Sequence, residues 1–135
     1  MISLDSNILI RLATGDTPEQ AAACKYLVDH SLTPEAPGFV STVAMVELFW
    51  TLRRIYRFPV AKTLAFIEVV LRSVNIVVER QELVAAAVQS TRQVGTDFAD
   101  GLIAMIGEAA GCSHTLTLDE AFASTGAARL LQTAR

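Results

Sequence analysis

The chain has 135 residues, 52% of them hydrophobic and 19% charged, and its formal net charge is −3. That length and composition support one folded domain over residues 1–135 with a core of its own, and they exclude a disordered or low-complexity protein. The acidic balance excludes attraction of nucleic acid by the field of the whole molecule, so a polyanionic partner would have to meet a local basic patch.

Every apolar run falls short of the roughly 18–20 residues of a membrane span. The opening Met1-Ile-Ser-Leu-Asp5 introduces an acid at once and has no basic segment before its apolar residues, unlike a signal peptide. Cys24 and Cys112 lie far apart and are expected to be buried small hydrophobes, not a metal-binding pair. The expected compartment is the cytoplasm, with no membrane partner.

In chain order, residues 1–4 read as a short buried strand and Asn7 to Leu12 as the helix it feeds, with Asp5 at the junction. Ligands of open α/β sheets bind beyond the carboxyl ends of the strands, where Asp5 would stand. Taken alone, Asp5 reads first as a helix cap, since Asp is a preferred N-cap. Asp16-Thr-Pro18 opens a second helix reaching about His30, with Ala22, Ala23, Tyr26 and Leu27 spaced as an amphipathic face. After the Pro34-Glu-Ala-Pro37-Gly loop, Phe39-Val-Ser41 predicts a strand and Thr42 to Tyr56 a helix.

Glu47 falls among Val43, Ala44 and Trp50, which predicts a carboxylate on a core-facing stripe. Such a group costs several kcal/mol unless it is paired, protonated or bound to a cation. An arginine partner and a metal site both remain open for it. Arg53, Arg54, Arg57 and Lys62 form a local basic patch; the alternative is favourable charge at a helix C-terminus.

Beyond Pro59 the pattern predicts a helix over Val60 to Arg72, a strand over Asn75 to Val78, and a helix over Gln81 to Val94. Ala85, Ala86 and Val88 are placed toward the core, and Gly95 ends the helix. The next helix carries Asp97 and Asp100 three apart on its first turn, and so on one face. N-capping and the helix dipole would each account for acids there. Asp100 precedes Gly101 and the apolar run Leu102 to Ile106, which points it toward the sheet. A strand over His114 to Leu118, then Asp119, a short helix to about Ser124 and an edge strand over Ala127 to Leu131 complete the chain. The β-α alternation predicts an α/β fold with a parallel sheet.

Carboxylates at strand ends and on helices suit Mg²⁺ or Mn²⁺, which take hard oxygen ligands. Such ions activate water for phosphodiester hydrolysis without a nucleophilic side chain. The chain has no glycine-rich phosphate loop and no G-x-S-x-G, and its two histidines, His30 and His114, stand at unrelated spacing. The expectation is that the acids meet in one cation-holding hollow.

Four runs recur in order over nearly the whole length: Leu4-Asp5-Ser6-Asn7-Ile8-Leu9-Ile10, Val46-Glu47-Leu48, Asp97-Phe98-Ala99-Asp100-Gly101-Leu102-Ile103-Ala104 and Thr115-Leu116-Thr117-Leu118-Asp119. In them the chain resembles a PIN-domain ribonuclease, most closely the VapC-type toxins of bacterial toxin–antitoxin pairs. The resemblance implies a three-layer α/β/α fold with a central, mainly parallel sheet of four to five strands, and a Mg²⁺- or Mn²⁺-dependent endoribonuclease. By position it implies catalytic roles for Asp5, Glu47, Asp100 and the more variable Asp119, with Asp5 and Asp100 as metal ligands. Asp97 would assist, and Asn7 and Thr117 would orient the first acid and a water. It further implies an RNA substrate, a homodimer, and a cognate antitoxin that sets a basic side chain into the acidic pocket. Arg53, Arg54 and Arg57 are the candidate contacts to RNA or antitoxin.

Two positions depart from the family pattern: Glu120 stands where a basic residue is common, and Gly101 replaces a more usual alanine. Two rival functions carry different expectations. An aspartyl-phosphate enzyme with Asp5 as nucleophile would want a second acid two residues on, where this chain has Asn7, and a suitably placed lysine. A weakly active binding module of the same fold would have no need of all the acids.

Overall fold

In the computed structural model, residues 1–133 are described, and the chain divides into two compact units, Met1–Gln81 and Glu82–Arg135. The first unit contains β1 (Ile2–Ser3), α1 (Ser6–Thr14), α2 (Pro18–Tyr26) running into a π-helical turn (Leu27–Ser31), β2 (Gly38–Val40), α3 (Thr42–Arg54), α4 (Val60–Arg72) and β3 (Ile76–Val78). Parallel strands cannot be joined by tight hairpins, so each pair here is linked by a helical crossover. The strands pair in the order β1-β2-β3, with Ile2 opposite Gly38 and Gly38 opposite Ile76.

Gly38 is glycine for want of room, since a Cβ there would meet Leu4 Cδ1 at 2.7 Å and Leu32 Cδ1 at 3.0 Å. That close approach seats Leu4, and with it the start of the segment carrying Asp5. The sheet's carboxyl ends are polar: Ser41 caps α3 by accepting from the Ala44 N–H, and Glu79, just past β3, accepts from the Thr42 N–H and hydroxyl. Beneath them lie Leu9, Val40, Met45, Leu48, Leu52 and Ile67, all excluded from solvent.

The second unit takes in most of α5 (Gln81–Val94), then α6 (Phe98–Ala109), β4 (Leu116–Thr117), α7 (Glu120–Ser124) and β5 (Arg129–Leu130). Its strands pair in parallel, Leu116 opposite Arg129. Val84, Ala87, Val88, Phe98, Leu102 and Phe122 make its core. The α/β class holds, and every pairing is parallel. The expected four to five strands, however, are divided between a sheet of three and a sheet of two. Among the described residues no helix is long and apolar enough to cross a membrane.

Several expectations are corrected. Ala22, Ala23 and Tyr26 are exposed, and only Cys24 of α2 is buried, so that helix has no apolar face. On α5 the buried residues are Val84, Ala87 and Val88, and Ala85 and Ala86 face solvent. Alanine is too small to mark a core face by itself, and the larger valines set the phase of the helix. Cys24 is buried as expected, but Cys112 is exposed.

Gly101 lies inside α6, where a Cβ would meet Ala87 Cβ and Thr96 Cγ2 at 3.8 Å, an ordinary contact distance. Glycine in a helix interior costs roughly 0.5–1 kcal/mol relative to alanine. Gly101→Ala is therefore expected to stabilise the fold by about that amount, read as a higher denaturation midpoint. A lower midpoint would mean that the backbone approach at this position is needed as it stands.

Candidate active site

The β1–α1 junction brings Asp5 to Glu47 of α3. Asp5 occupies the N-cap position of α1, yet its side chain makes no capping hydrogen bond. Its carboxylate instead faces two side chains: the Ser6 hydroxyl stands 3.3 Å from Oδ1, and the Asn7 amide donates to Oδ2 at 3.3 Å. Ser6 also reaches Glu47 Oε1 at 2.9 Å. The side-chain capping account of Asp5 therefore fails, and its carboxylate is met by the Ser6 and Asn7 side chains instead.

Glu47 is reached by a route the sequence argument misjudged. Val43 is 73% exposed and Trp50 54% exposed, so with Glu47 they form the outward stripe of α3. The buried stripe is Met45, Leu48, Phe49 and Leu52. The Glu47 carboxylate thus pays no core-burial penalty, and no ion pair among the described residues joins it to an arginine.

In the second unit, Asp97 caps α6 by accepting from the Asp100 N–H at 3.3 Å. Asp119 caps α7, its Oδ1 accepting from the Ala121 N–H at 2.9 Å and the Phe122 N–H at 3.2 Å. Thr117 Oγ1 accepts from the Asp119 N–H at 3.0 Å, so the threonine shapes the turn that presents this acid. Capping is a real occupation of Asp97 and Asp119.

Asp100 is different, since no described residue donates to its carboxylate. Partial burial, then the neighbouring Asp97 and Asp119, raise its pKa above the ordinary carboxylate value. Three acids therefore share one electrostatic neighbourhood in this unit, and for Asp100 no described residue supplies a compensating hydrogen bond or ion pair. Their donor atoms are carboxylate oxygens throughout, the kind Mg²⁺ and Mn²⁺ take, and a cation would offset the charge on Asp100. The residues fit such an ion in kind. Among the described residues, no three His, Cys, Asp or Glu side chains are grouped closely enough to hold a metal ion as they stand.

The basic patch is partly committed elsewhere. Arg53 Nη1 donates to the Phe58 carbonyl at 2.7 Å, and Lys62 Nζ lies 4.0 Å from the centre of the Phe58 ring, so both secure the α3–α4 connection. Arg54 and Arg57 are exposed, Arg57 with a left-handed backbone at φ 56°. His30 packs on Tyr26, and His114 hydrogen-bonds Ser113. A cavity of about 480 Å³ in the second unit is lined by Glu108, Cys112, His114 and Arg129 among others, and none of the candidate acids lines it.

Sequence reasoning passed over Ser6. A serine after an aspartate at a helix start is an ordinary capping composition, and nothing in its spacing signals a side chain that spans to α3. Among known families, the one described as the PIN domain matches residues 2–128, nearly the whole chain. No curated protein matches it.

Proposed function

The chain belongs to the PIN domain family, whose members are generally nucleases, and on that premise we propose that it is a Mg²⁺- or Mn²⁺-dependent endoribonuclease. We place it as the cytoplasmic toxin of a toxin–antitoxin pair, acting as a homodimer and inhibited by a cognate antitoxin. One observation carries the hydrolytic reading. Asp5, Glu47, Asp97, Asp100 and Asp119 stand in no ion pair among the described residues, unlike Asp29, which pairs with Lys25. Acids kept without basic partners suit a cation that arrives with its substrate or before it.

When bound, Mg²⁺ or Mn²⁺ supplies the positive charge that activates an attacking water and stabilises the leaving oxygen of a phosphodiester. Asp5 and Asp100 are the acids assigned to hold it, with Glu47 and Asp119 as the further members of the acidic set. Asn7 fixes one oxygen of Asp5. Thr117 and the start of α7 fix the turn of Asp119. Of the arginines in the α3–α4 patch, Arg54 and Arg57 are exposed and are assigned to meet the RNA backbone or an antitoxin, with Arg53 beside them.

The test is direct. Purified protein incubated with total RNA is expected to produce internal cuts with Mg²⁺ or Mn²⁺ and none with excess EDTA. Cleavage that survives chelation would remove the metal from the mechanism. Intact RNA under every metal condition, from folded protein, would leave the binding-module reading in its place. Growth arrest on expression, relieved by co-expressing the product of a short neighbouring gene, is the expected cellular result for a toxin.

A further inference from the structure

Ser6 is 1% exposed, yet its hydroxyl lies between two carboxylates, 3.3 Å from Asp5 Oδ1 and 2.9 Å from Glu47 Oε1. A hydroxyl has one proton to give, so it cannot donate to both at once. The shorter contact places that proton on Glu47, and Asp5 keeps the Asn7 amide on its other oxygen. Thr14, Thr63 and Thr91, further along their helices, each donate to the carbonyl four residues earlier, whereas Thr42, which like Ser6 opens its helix, donates to the Glu79 carboxylate. Ser6 opens α1 and has no helical carbonyl behind it, so its hydroxyl is left for the side chains. Glu47, for its part, stands on the exposed stripe of α3 with Val43 and Trp50, and among the described residues the hydrogen bond found to its carboxylate is the one from Ser6.

We infer that Ser6 is a positioning residue whose hydroxyl fixes the Glu47 carboxylate beside Asp5, so that the pair presents its remaining oxygens together to one hard cation. The cation rests on the nuclease reading above; the positioning rests on the two contacts alone. Groups that hold a ligand side chain in place typically change metal affinity by roughly 10–100-fold when removed.

Ser6→Ala and Ser6→Thr separate the hydroxyl from the space it fills. In the metal-free protein, side-chain three-bond couplings of Glu47 are expected to report one rotamer in the wild type, averaging in S6A, and one rotamer again in S6T. Calorimetric titration with Mn²⁺ is expected to show binding to S6A weakened roughly tenfold or more, with S6T close to wild type. If Glu47 averages equally in wild type and S6A, or if S6A binds Mn²⁺ as tightly as wild type, Ser6 is a packing residue and the inference is overturned. A wild-type protein that binds no Mn²⁺ and cleaves no RNA overturns the nuclease reading instead, and the rotamer comparison still decides for or against Ser6.

Discussion

Asp5→Asn and Asp100→Asn are each expected to lower metal-dependent RNA cleavage by roughly two to three decades while leaving the fold intact. A metal ion contributes several kcal/mol of transition-state stabilisation in such reactions, and each 1.36 kcal/mol is tenfold in rate. Asparagine keeps the shape of aspartate and removes its charge, so the comparison isolates cation binding. The fold is expected to survive because neither carboxylate supports it. Asp5 does not cap α1, and no described residue donates to Asp100. Circular dichroism and RNA cleavage on the same samples check both halves, and a variant that cleaves at the wild-type rate removes that acid from the reaction.

D100N is also expected to melt above the wild type at neutral pH in the absence of metal. Burial, Asp97 and Asp119 hold the Asp100 pKa above its ordinary value, so the folded state binds that proton more tightly than the unfolded chain does. The ionised group therefore opposes folding at pH 7, and the opposition is relieved as pH falls through the folded-state pKa toward the unfolded one. Asparagine mimics the neutral form, so the gap between variant and wild type should close on acidification. Solvent screening limits the gain to about 1 kcal/mol. Mn²⁺ should reverse the order by raising the wild-type midpoint and leaving D100N unmoved, because a ligand stabilises only the state that binds it.

The elements most legible in the sequence were those with hard punctuation. Val60–Arg72 follows Pro59 and Gln81–Val94 stops at Gly95, and both helices have the bounds the sequence predicts. Strand lengths were less legible: β1 and β4 keep two residues of regular pairing each, and alternation in so short a run has no phase to read. Burial within helices was harder still. Val43 and Trp50 suggested a core stripe around Glu47, yet the competing set four and seven residues on from Met45 is the one buried. An apolar side chain has no obligation to be inside, so two apolar stripes on one helix cannot be ranked from sequence. The roles of the acids divide for a similar reason. Asp5, Asp97 and Asp119 all look like N-caps in sequence, and only the geometry shows that Asp97 and Asp119 cap with their side chains while Asp5 does not.

Phe98→Ala is expected to destabilise the protein by about 3–5 kcal/mol, the usual cost of emptying a buried aromatic site. Phe98 is wholly excluded from solvent and is the first residue of α6, between the cap Asp97 and the uncompensated Asp100. Domains of this size are stable by only about 5–15 kcal/mol, so the loss would remove a large share of the total and should appear as a strongly lowered urea midpoint. Phe98→Leu keeps an apolar anchor and is expected to stay folded. It should still cleave RNA more slowly, because a misplacement near 1 Å of catalytic groups can cost about a hundredfold. The physical link is that a helix turn can carry acids at fixed spacing only where something on its other face holds it still, and on α6 that anchor is Phe98. An F98A protein with an unchanged midpoint would show that the first turn of α6 is held by its caps and not by its core.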